Sequence, residues 1–406
     1  MQNSFIEFID TYRQRTSIPS YQYPYLLQTI HTDYVENMAY GQCPTVTAAI
    51  HPTTSHVKIE PVEIIEKPKR KIILENIEIK TIQDLIDLAE KYPPPKKHEE
   101  YSVDIETIHL ILPELRAIQQ MIGMNSIKET LLDQLLYFMQ KLHLKTKETA
   151  DSDFKHTVIY GPPGTGKTEI AKHMGTMYSK IGAFSSFSNG GSNSKFKKVT
   201  RSDLVAGFLG QTAIKTQKVI DESLGGVLFI DEAYSLAPRG DSSSNDSFSK
   251  ECIDTLCENM SAHKEDWMVI IAGYEEELKT TFFRSNIGLE SRFLWRFKID
   301  SYSPHELAQM YEKKVADQGW ILEISVSKLE QFFKTRMNDF KHYGRDVESL
   351  FTYTKIAHGR KQFGHMDGDQ IRHISIDNLN TGFQMFLNHR HEKTQEPPSV
   401  LFSMYL

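Results

Sequence analysis

Hydrophobic and polar residues alternate along this chain in two patterns, one typical of buried strands and one typical of helices. Short apolar runs occur at residues 156–160, 227–230 and 268–272. Such runs are typical of parallel strands that helices cover on both faces. Apolar residues at helical spacing predict one helix near 213–223, before the second run, and another near 248–260, between the second and third runs. The alternation of strand and helix predicts a doubly wound α/β domain.

The signals on either side of this domain are helical. Upstream, we predict a helix that begins at Leu112, with Pro113 in its first turn, and ends at Gly123; Asn125 then opens a second helix. Downstream of residue 300 the strand signal fades, and we expect a smaller helical domain with helices at 304–317, 326–338, 345–358 and 376–390.

The N-terminal part of the chain has weaker signals. Thr81 and Asp84 resemble a capping box that opens a short helix. Three consecutive prolines at 93–95 favour an extended spacer, and we place a domain boundary there. The expected organisation is an unassigned N-terminal region with a linker at 1–103, suited to recruiting a substrate or an adaptor, a large α/β domain at 104–300, and a helical domain with the C-terminal tail at 301–406.

Composition narrows the class of protein without naming a function. The 47 Lys and Arg against 53 Asp and Glu leave a formal net charge of −6, which excludes a globally basic nucleic-acid coat. Three cysteines without a Cys-x-x-Cys pair argue against a disulfide framework and a thiolate zinc site. No apolar run approaches the ~20 residues of a spanning helix, and the first residues lack the basic leader of a signal peptide. We therefore expect a soluble protein of the cytoplasm.

One run of residues has a recognisable chemistry. Residues 161–168 read Gly-Pro-Pro-Gly-Thr-Gly-Lys-Thr, which fits G-x-x-x-x-G-K-[ST] and lies between a predicted strand and a predicted helix. Glycines let backbone N–H groups turn inward around phosphates, and the helix N-terminus adds the positive end of its dipole. We expect Lys167 to reach the β- and γ-phosphates of ATP and Thr168 to offer its hydroxyl to Mg²⁺. The candidate nucleotide-binding residues are Gly161, Pro162, Pro163, Gly164, Thr165, Gly166, Lys167, Thr168 and Asp231.

Two adjacent carboxylates follow the predicted strand at 227–230. Asp231 is the candidate for the Mg²⁺ shell, and Glu232 is the candidate that orients and polarises an attacking water. An Asp-Glu pair is common on surfaces, but its place after a buried strand and downstream of a phosphate loop favours the catalytic interpretation. The intact Glu232 argues for hydrolysis rather than for nucleotide binding alone.

Longer runs around these motifs resemble one branch of the AAA+ ATPase superfamily. They are 201–216 (Arg-Ser-Asp-Leu-Val-Ala-Gly-Phe-Leu-Gly-Gln-Thr-Ala-Ile-Lys-Thr), 225–236 (Gly-Gly-Val-Leu-Phe-Ile-Asp-Glu-Ala-Tyr-Ser-Leu) and 272–274 (Ala-Gly-Tyr). The branch contains red-type Rubisco activase, the stage V sporulation protein K family and the type VII secretion ATPases. The resemblance covers residues 110–360 and implies an AAA+ P-loop domain, a parallel sheet between helices, with a small C-terminal helical lid.

The resemblance also implies a pore loop. Phe208 and Leu209 match the first pore loop, in which an aromatic residue grips a polypeptide in the central channel of a hexamer. The residue types suit that task, because an aromatic ring between Gly207 and Gly210 is an apolar group on a flexible loop. The alternative is that Phe208 packs into the hydrophobic core.

Two arginines compete for the role of arginine finger, the residue that contacts the γ-phosphate held by a neighbouring subunit. Arg292 lies in a segment that resembles Asn-Pro-Gly-Leu-x-Ser-Arg-Phe, with Ile287 in place of the proline. Arg296 is the rival finger, and either arginine could instead form a surface ion pair.

Two further positions are implied by family motifs. Arg345 matches the sensor-2 arginine, which reaches the γ-phosphate from the lid of the same subunit, although Tyr343-Gly344 replaces the usual Asn-Ala. Tyr274 occupies the sensor-1 position, and the alternative there is a buried structural tyrosine.

The sequence thus indicates an ATPase that binds ATP and Mg²⁺, assembles with itself as a ring, expected to be a hexamer, and remodels or threads an unidentified protein substrate. A nucleic-acid motor or loader is one rival, against which the net acidic charge argues. A nucleotide-gated scaffold with little turnover is another, against which the intact Glu232 and Arg292 argue.

Overall fold

The computed structural model describes residues 70–96, 98–144, 152–184, 195–208, 210–237, 243–363 and 372–394. The helix signal near the start of the chain, and Leu209 of the predicted pore loop, lie outside the described residues. No helix within the described ranges combines the length and the apolar character that crossing a membrane requires.

The described elements alternate between strands and helices before the chain becomes helical. The strands are β1 (Arg70–Ile72), β2 (Glu99–Tyr101), β3 (Thr157–Tyr160), β4 (Phe196–Val199), β5 (Val227–Ile230), β6 (Met268–Gly273), β7 (Trp295–Lys298), β8 (Ile321–Leu322) and β9 (His373–Ile374). The helices are α1 (Ile82–Lys91), α2 (Ile105–Gln119), α3 (Asn125–Met139), α4 (Lys167–Lys180), α5 (Arg201–Leu204), α6 (Thr212–Ser223), α7 (Ser243–Ala262), α8 (Glu275–Glu277), α9 (Phe283–Ser285), α10 (Ile287–Arg292), α11 (Pro304–Asp317), α12 (Val326–Lys334), α13 (Gly344–Gln362) and α14 (Ile376–Thr394). Single turns of 3₁₀-helix occupy Ala233–Leu236 and Met337–Asp339, and a π-helical turn joins α8 to α9 at Leu278–Phe282.

The predicted α/β domain is confirmed by a five-stranded parallel sheet in the order β4-β5-β6-β3-β7. Every residue of β3, β5 and β6 is buried. Alternate residues of β5 enter two different hydrophobic clusters: Phe229 belongs to the cluster that contains Met174 of α4, and Leu228 belongs to the cluster that contains Ile253 of α7. Helices therefore cover both faces, which is why these strands are apolar without alternation.

The sheet order fixes where the chemistry lies. All five strands run in the same direction, so their carboxyl ends meet at one edge of the sheet. The phosphate loop leaves the carboxyl end of β3, and Asp231 with Glu232 leaves that of β5. Ligands of open parallel sheets bind at this edge.

The predicted helical domain after residue 300 is also confirmed. Helices α11 to α14 share buried aromatic residues, including Tyr311, Phe333 and Phe351, with a small parallel pair of β8 and β9 beside them. The predicted helix 326–338 is shorter than expected, since α12 ends at Lys334 and a 3₁₀ turn follows.

The predicted start at Leu112 of the first helix of the α/β domain, α2, is wrong. Helix α2 begins at Ile105, where the Asp104 side chain accepts a hydrogen bond from the Thr107 backbone N–H at 3.0 Å. Pro113 is therefore inside the helix. It lies on the exposed side, where water can solvate the carbonyl that loses its helical partner. The helix ends at Gln119, before Gly123.

The capping box of α1 is confirmed. The Thr81 side chain accepts from the Asp84 backbone N–H, and the Asp84 side chain accepts from the Thr81 backbone N–H. The helix buries Leu85 and Ile86 in the same hydrophobic cluster as α2, which follows the three prolines. The division of the chain at residues 103 and 300 stays a prediction.

We expect Ile86→Ala to lower the melting temperature of the whole described unit, because Ile86 is buried in a cluster that continues into α2 and α3. Such a truncation costs about 2–5 kcal/mol. Asp87→Ala, on the exposed side of the same helix, is the matched control. A calorimetric trace in which Ile86→Ala shifts only a minor separate transition would show instead that residues 70–103 fold on their own.

Candidate active site

The loop between β3 and α4 has the backbone shape that its glycines permit. Gly164 and Gly166 have φ of +72° and +85°, a region that disfavours residues with a Cβ. A Cβ at Gly164 would also overlap the backbone carbonyl of His342. Gly166 is the N-cap of α4, so the loop presents backbone N–H groups at the positive end of that helix.

The side chains of Lys167 and Thr168 turn toward the edge of the sheet. Lys167 Nζ donates to the carbonyl oxygens of Gly161 and Pro162 at 2.8 and 2.7 Å. Burial lowers the pKa of Lys167, while the carboxylates of Asp231 and Glu232 oppose that shift. Thr168 Oγ1 donates to Asp231 Oδ2 at 3.1 Å. The two sequence motifs, 63 residues apart, therefore meet at hydrogen-bond distance.

Glu232 is held in an uncommon backbone conformation. Its φ of +51° lies in the left-handed region, which non-glycine residues adopt rarely and often at functional sites. Burial and the neighbouring Glu232 carboxylate raise the pKa of the Tyr234 hydroxyl to about 12. The Tyr234 ring stacks on Tyr274, with centroids 5.5 Å apart and an interplanar angle of 19°.

Tyr274 faces the phosphate loop. The Lys167 ammonium lies 5.6 Å from the centre of the Tyr274 ring. Tyr274 is half-buried and stacked on Tyr234, so the alternative of a structural tyrosine also stays open. Whether its hydroxyl acts as the sensor stays a prediction.

The helical region contacts the phosphate loop directly. The Gly344 backbone N–H donates to the Gly164 carbonyl at 3.1 Å, and the buried Tyr302 hydroxyl donates to the Thr165 carbonyl at 3.0 Å. Arg345 follows Gly344 in the first turn of α13, and its guanidinium adds to the lowering of the Lys167 pKa. The structure therefore brings Arg345 together with the loop.

The two candidate fingers are placed differently. Arg292 is half-buried: its Nε donates to Ser261 Oγ at 2.9 Å and its Nη1 to the Gly288 carbonyl at 2.6 Å, both outside the phosphate loop. Arg296 is exposed and pairs with Glu290 at 3.1 Å. The surface ion pair considered as an alternative is therefore present for Arg296.

Phe208 is exposed, so the alternative that it packs into the core is wrong. Its exposed fraction is 73%. The two flanking glycines, Gly207 and Gly210, have no atoms outside their immediate neighbours within 4 Å of a built Cβ, and Gly210 has a φ of +76°. The ring thus projects from an open turn.

Three residues at the site escaped the sequence analysis. Tyr234 and Tyr302 were missed because their partners depend on tertiary packing. Tyr234 does lie within residues 225–236, which resemble the AAA+ branch. Lys198 of β4 forms an ion pair with Asp231 at 3.0 Å. The sequence does contain a signal for Lys198, since a lysine near the carboxyl end of a strand can face an acidic residue at the end of a neighbouring strand. The signal can be used only when the order of the strands is known.

This chain is similar to a family model and to several known proteins. The model for the ATPase family associated with various cellular activities (AAA) matches residues 157–294. The putative cfxQ-like protein R730 of Acanthamoeba polyphaga mimivirus is 34% identical over 322 residues, 79% of this chain and 76% of that protein. The ESX-1 secretion system protein EccA1 of Mycobacterium tuberculosis is 42% identical over 156 residues, 38% of this chain and 26% of that protein. The solved FIGL-1 AAA domain aligns with 17% identity and a TM-score of 0.45, over 73% of this chain and 98% of that one.

We expect Phe208→Ala to leave the melting temperature within about 1 °C of the wild type, because truncating an exposed side chain removes no core packing. Phe229→Ala, in the buried strand β5, is the matched control and costs about 3–5 kcal/mol. Thermal unfolding followed by circular dichroism compares the two. Equal destabilisation by both substitutions would contradict an exposed Phe208.

Proposed function

This chain belongs to the AAA family of ATPases and is related to the type VII secretion ATPases, and on that premise we propose that it hydrolyses ATP to remodel or thread a protein substrate within a ring of its own copies. The observation that carries the hydrolytic part is the meeting of Thr168 with Asp231 beside Lys167. Glu232 follows directly in sequence, at the same edge of the sheet.

The donor set fits Mg²⁺. The Thr168 hydroxyl and the Asp231 carboxylate are 3.1 Å apart, and Mg²⁺ prefers oxygen ligands, of which proteins supply one or two beside water and substrate phosphates. When bound, the ion neutralises charge on the β- and γ-phosphate oxygens. Thr168 and Asp231 would hold it, and Lys167 would contribute a second positive charge from the start of α4.

Glu232 is the residue that we assign to the attacking water. Its carboxylate accepts a hydrogen bond from that water and orients it in line with the γ-phosphorus. The left-handed backbone at Glu232 and the nearby Tyr234 hydroxyl restrict where this carboxylate points. Such restriction favours catalysis, because a positioned base loses less freedom in the transition state.

Two arginines complete the proposed site, one from the same chain and one from a neighbouring subunit. Arg345 stabilises the γ-phosphate from the helical lid of the same chain, an assignment supported by the Gly344–Gly164 hydrogen bond beside it. Arg292 acts on the nucleotide of a neighbouring subunit. Its surroundings support a subunit contact, since Ile287 and Leu294 at either end of the segment are large apolar residues exposed by 92% and 60%.

We propose that Phe208, whose aromatic ring is exposed, grips the substrate together with Leu209, the next residue in the sequence. An aromatic ring buries a large apolar area without requiring a particular sequence, which suits a substrate that passes along it. A hexameric ring, cytoplasmic localisation and substrate recruitment by residues 1–103 belong to the same proposal. A nucleic-acid substrate is less favoured because the net charge is −6.

We expect Glu232→Gln to bind ATP with near wild-type affinity and to lose most of its hydrolysis, by about 100-fold or more, because an amide does not accept a proton as a carboxylate does. Phosphate release and nucleotide binding are measured on the same preparation. Lys167→Ala is the contrasting variant and loses nucleotide binding itself. Wild-type turnover by Glu232→Gln would remove this residue from the mechanism.

We expect Arg292→Ala to lose hydrolysis by about 10³-fold or more, as for other fingers supplied in trans. Mixing it with Glu232→Gln should restore activity, because a site from the first variant then receives its finger from the second. Arg296→Ala, four residues away, is the matched control and should keep most of its activity. Mixtures that stay as inactive as their components would contradict a finger in trans.

A further inference from the structure

Lys198 and Thr168 share one oxygen of Asp231. The Lys198 ammonium lies 3.0 Å from Asp231 Oδ2, and the Thr168 hydroxyl lies 3.1 Å from the same atom. This oxygen is the one that faces Thr168, so it is the oxygen that a Mg²⁺ ion held by both residues would engage. The Lys198 ammonium therefore already occupies a position beside the proposed metal ligand Asp231.

Lys198 reaches this position from outside the phosphate loop. It belongs to β4, the edge strand of the sheet, where it pairs in register with Phe229 of β5. Its side chain lines a cavity of about 580 Å³ beside the carboxylates. Arg201, Asp231, Glu232 and Ser235 also line this cavity.

We propose that Lys198 competes with Mg²⁺ for Asp231 and so sets the Mg²⁺ concentration that nucleotide binding requires. This inference rests on the proposed function, since it takes Thr168 and Asp231 as the metal ligands. With metal present, the ammonium moves into the adjoining cavity, and without it the ammonium neutralises Asp231.

Electrostatics make the two occupancies exclusive. An ammonium and a divalent cation on the same carboxylate oxygen would repel each other at a few ångströms. The exchange is feasible because the ion pair is partly exposed: the side-chain exposures are 46% for Lys198 and 22% for Asp231. Ion pairs of this kind contribute about 0–1 kcal/mol, so a bound Mg²⁺–nucleotide complex is able to displace the lysine.

The cavity accepts the displaced ammonium. Arg201 in its wall is held in place, because its guanidinium donates to the Ser235 carbonyl at 2.6 Å and to Ser249 Oγ at 3.0 Å. Glu232 lines the same space and offsets the positive charge there. The long, flexible stem of a lysine makes the movement possible without a change of backbone.

The neighbouring Lys197 provides a matched control. It lies on the same strand, one residue earlier, and pairs with Glu222 of α6 rather than with Asp231. Replacing it removes the same charge from β4 and leaves the proposed metal ligand untouched. Any effect shared by the two positions is therefore a general effect of net charge.

The experiment is a Mg²⁺ titration of nucleotide binding. A fluorescent ADP at fixed concentration is bound to the full chain, and Mg²⁺ is raised from an EDTA baseline. Lys198→Met should lower the half-saturating Mg²⁺ concentration by about fivefold, the equivalent of an ion pair of about 1 kcal/mol. Lys197→Met should leave it unchanged, and Lys198→Arg, which keeps the charge, should stay near the wild type.

A direct metal readout accompanies the titration. Binding of Mn²⁺ in the presence of ADP, followed by electron paramagnetic resonance, should tighten in Lys198→Met by the same factor. An unchanged or higher metal requirement in Lys198→Met would overturn the competition, even where wild-type binding of nucleotide is normal. If the wild type binds no nucleotide at any Mg²⁺ concentration, the proposed function itself has failed.

Discussion

The contact between the phosphate loop and the turn before α13 is the constraint on which the site depends. Gly164 has no side chain, and its backbone lies so close to that turn that a Cβ would overlap the His342 carbonyl. Its own carbonyl accepts the Gly344 N–H at 3.1 Å. The loop is therefore shaped on one side by β3 and on the other by a segment about 180 residues later. A glycine at this position serves the packing of two regions as well as the binding of phosphates.

Helix α14, the last described helix, holds the turn before α13 in place. Asp346 is buried; its Oδ2 accepts from the His342 backbone N–H at 2.7 Å, and its Oδ1 pairs with Arg390 of α14 at 2.5 Å. Removing Arg390 would be costly, because the buried Asp346 carboxylate would lose its cation while it stays desolvated. The position of Arg345 thus depends on α14 although that helix contributes no candidate site residue. The helical region is therefore tied to the phosphate loop through hydrogen bonds that begin at α14 and end at Gly164.

What the sequence could and could not predict follows from the range of the interactions. The phosphate loop and the Asp231-Glu232 pair were predictable, because their geometry depends on a strand and a turn adjacent in the chain. The start of α2 was missed because Pro113 was taken as a first-turn residue, whereas Asp104 caps the helix eight residues before Leu112. Lys198 was missed because its contact with Asp231 requires β4 to lie beside β5. Strand order of this kind is a tertiary property, and without it a lysine near the end of a strand does not indicate which acidic residue it faces.

The proposed finger is connected to its own chain through α7. Asn286 caps α10 by accepting from the Gly288 N–H at 2.9 Å, and its amide donates to Asp254 of α7 at 2.9 Å. Arg292 adds its bond to Ser261 of the same helix. For Arg292 to reach a neighbour's γ-phosphate, it must exchange bonds with neutral acceptors for bonds with an anion. Charge-assisted bonds to phosphate are about twice as strong as neutral ones, so the exchange is favourable only where a neighbour presents a nucleotide. Under the proposed function, Arg292 would contribute to hydrolysis only in an assembled ring, and α7 would hold it in a chain without a neighbour.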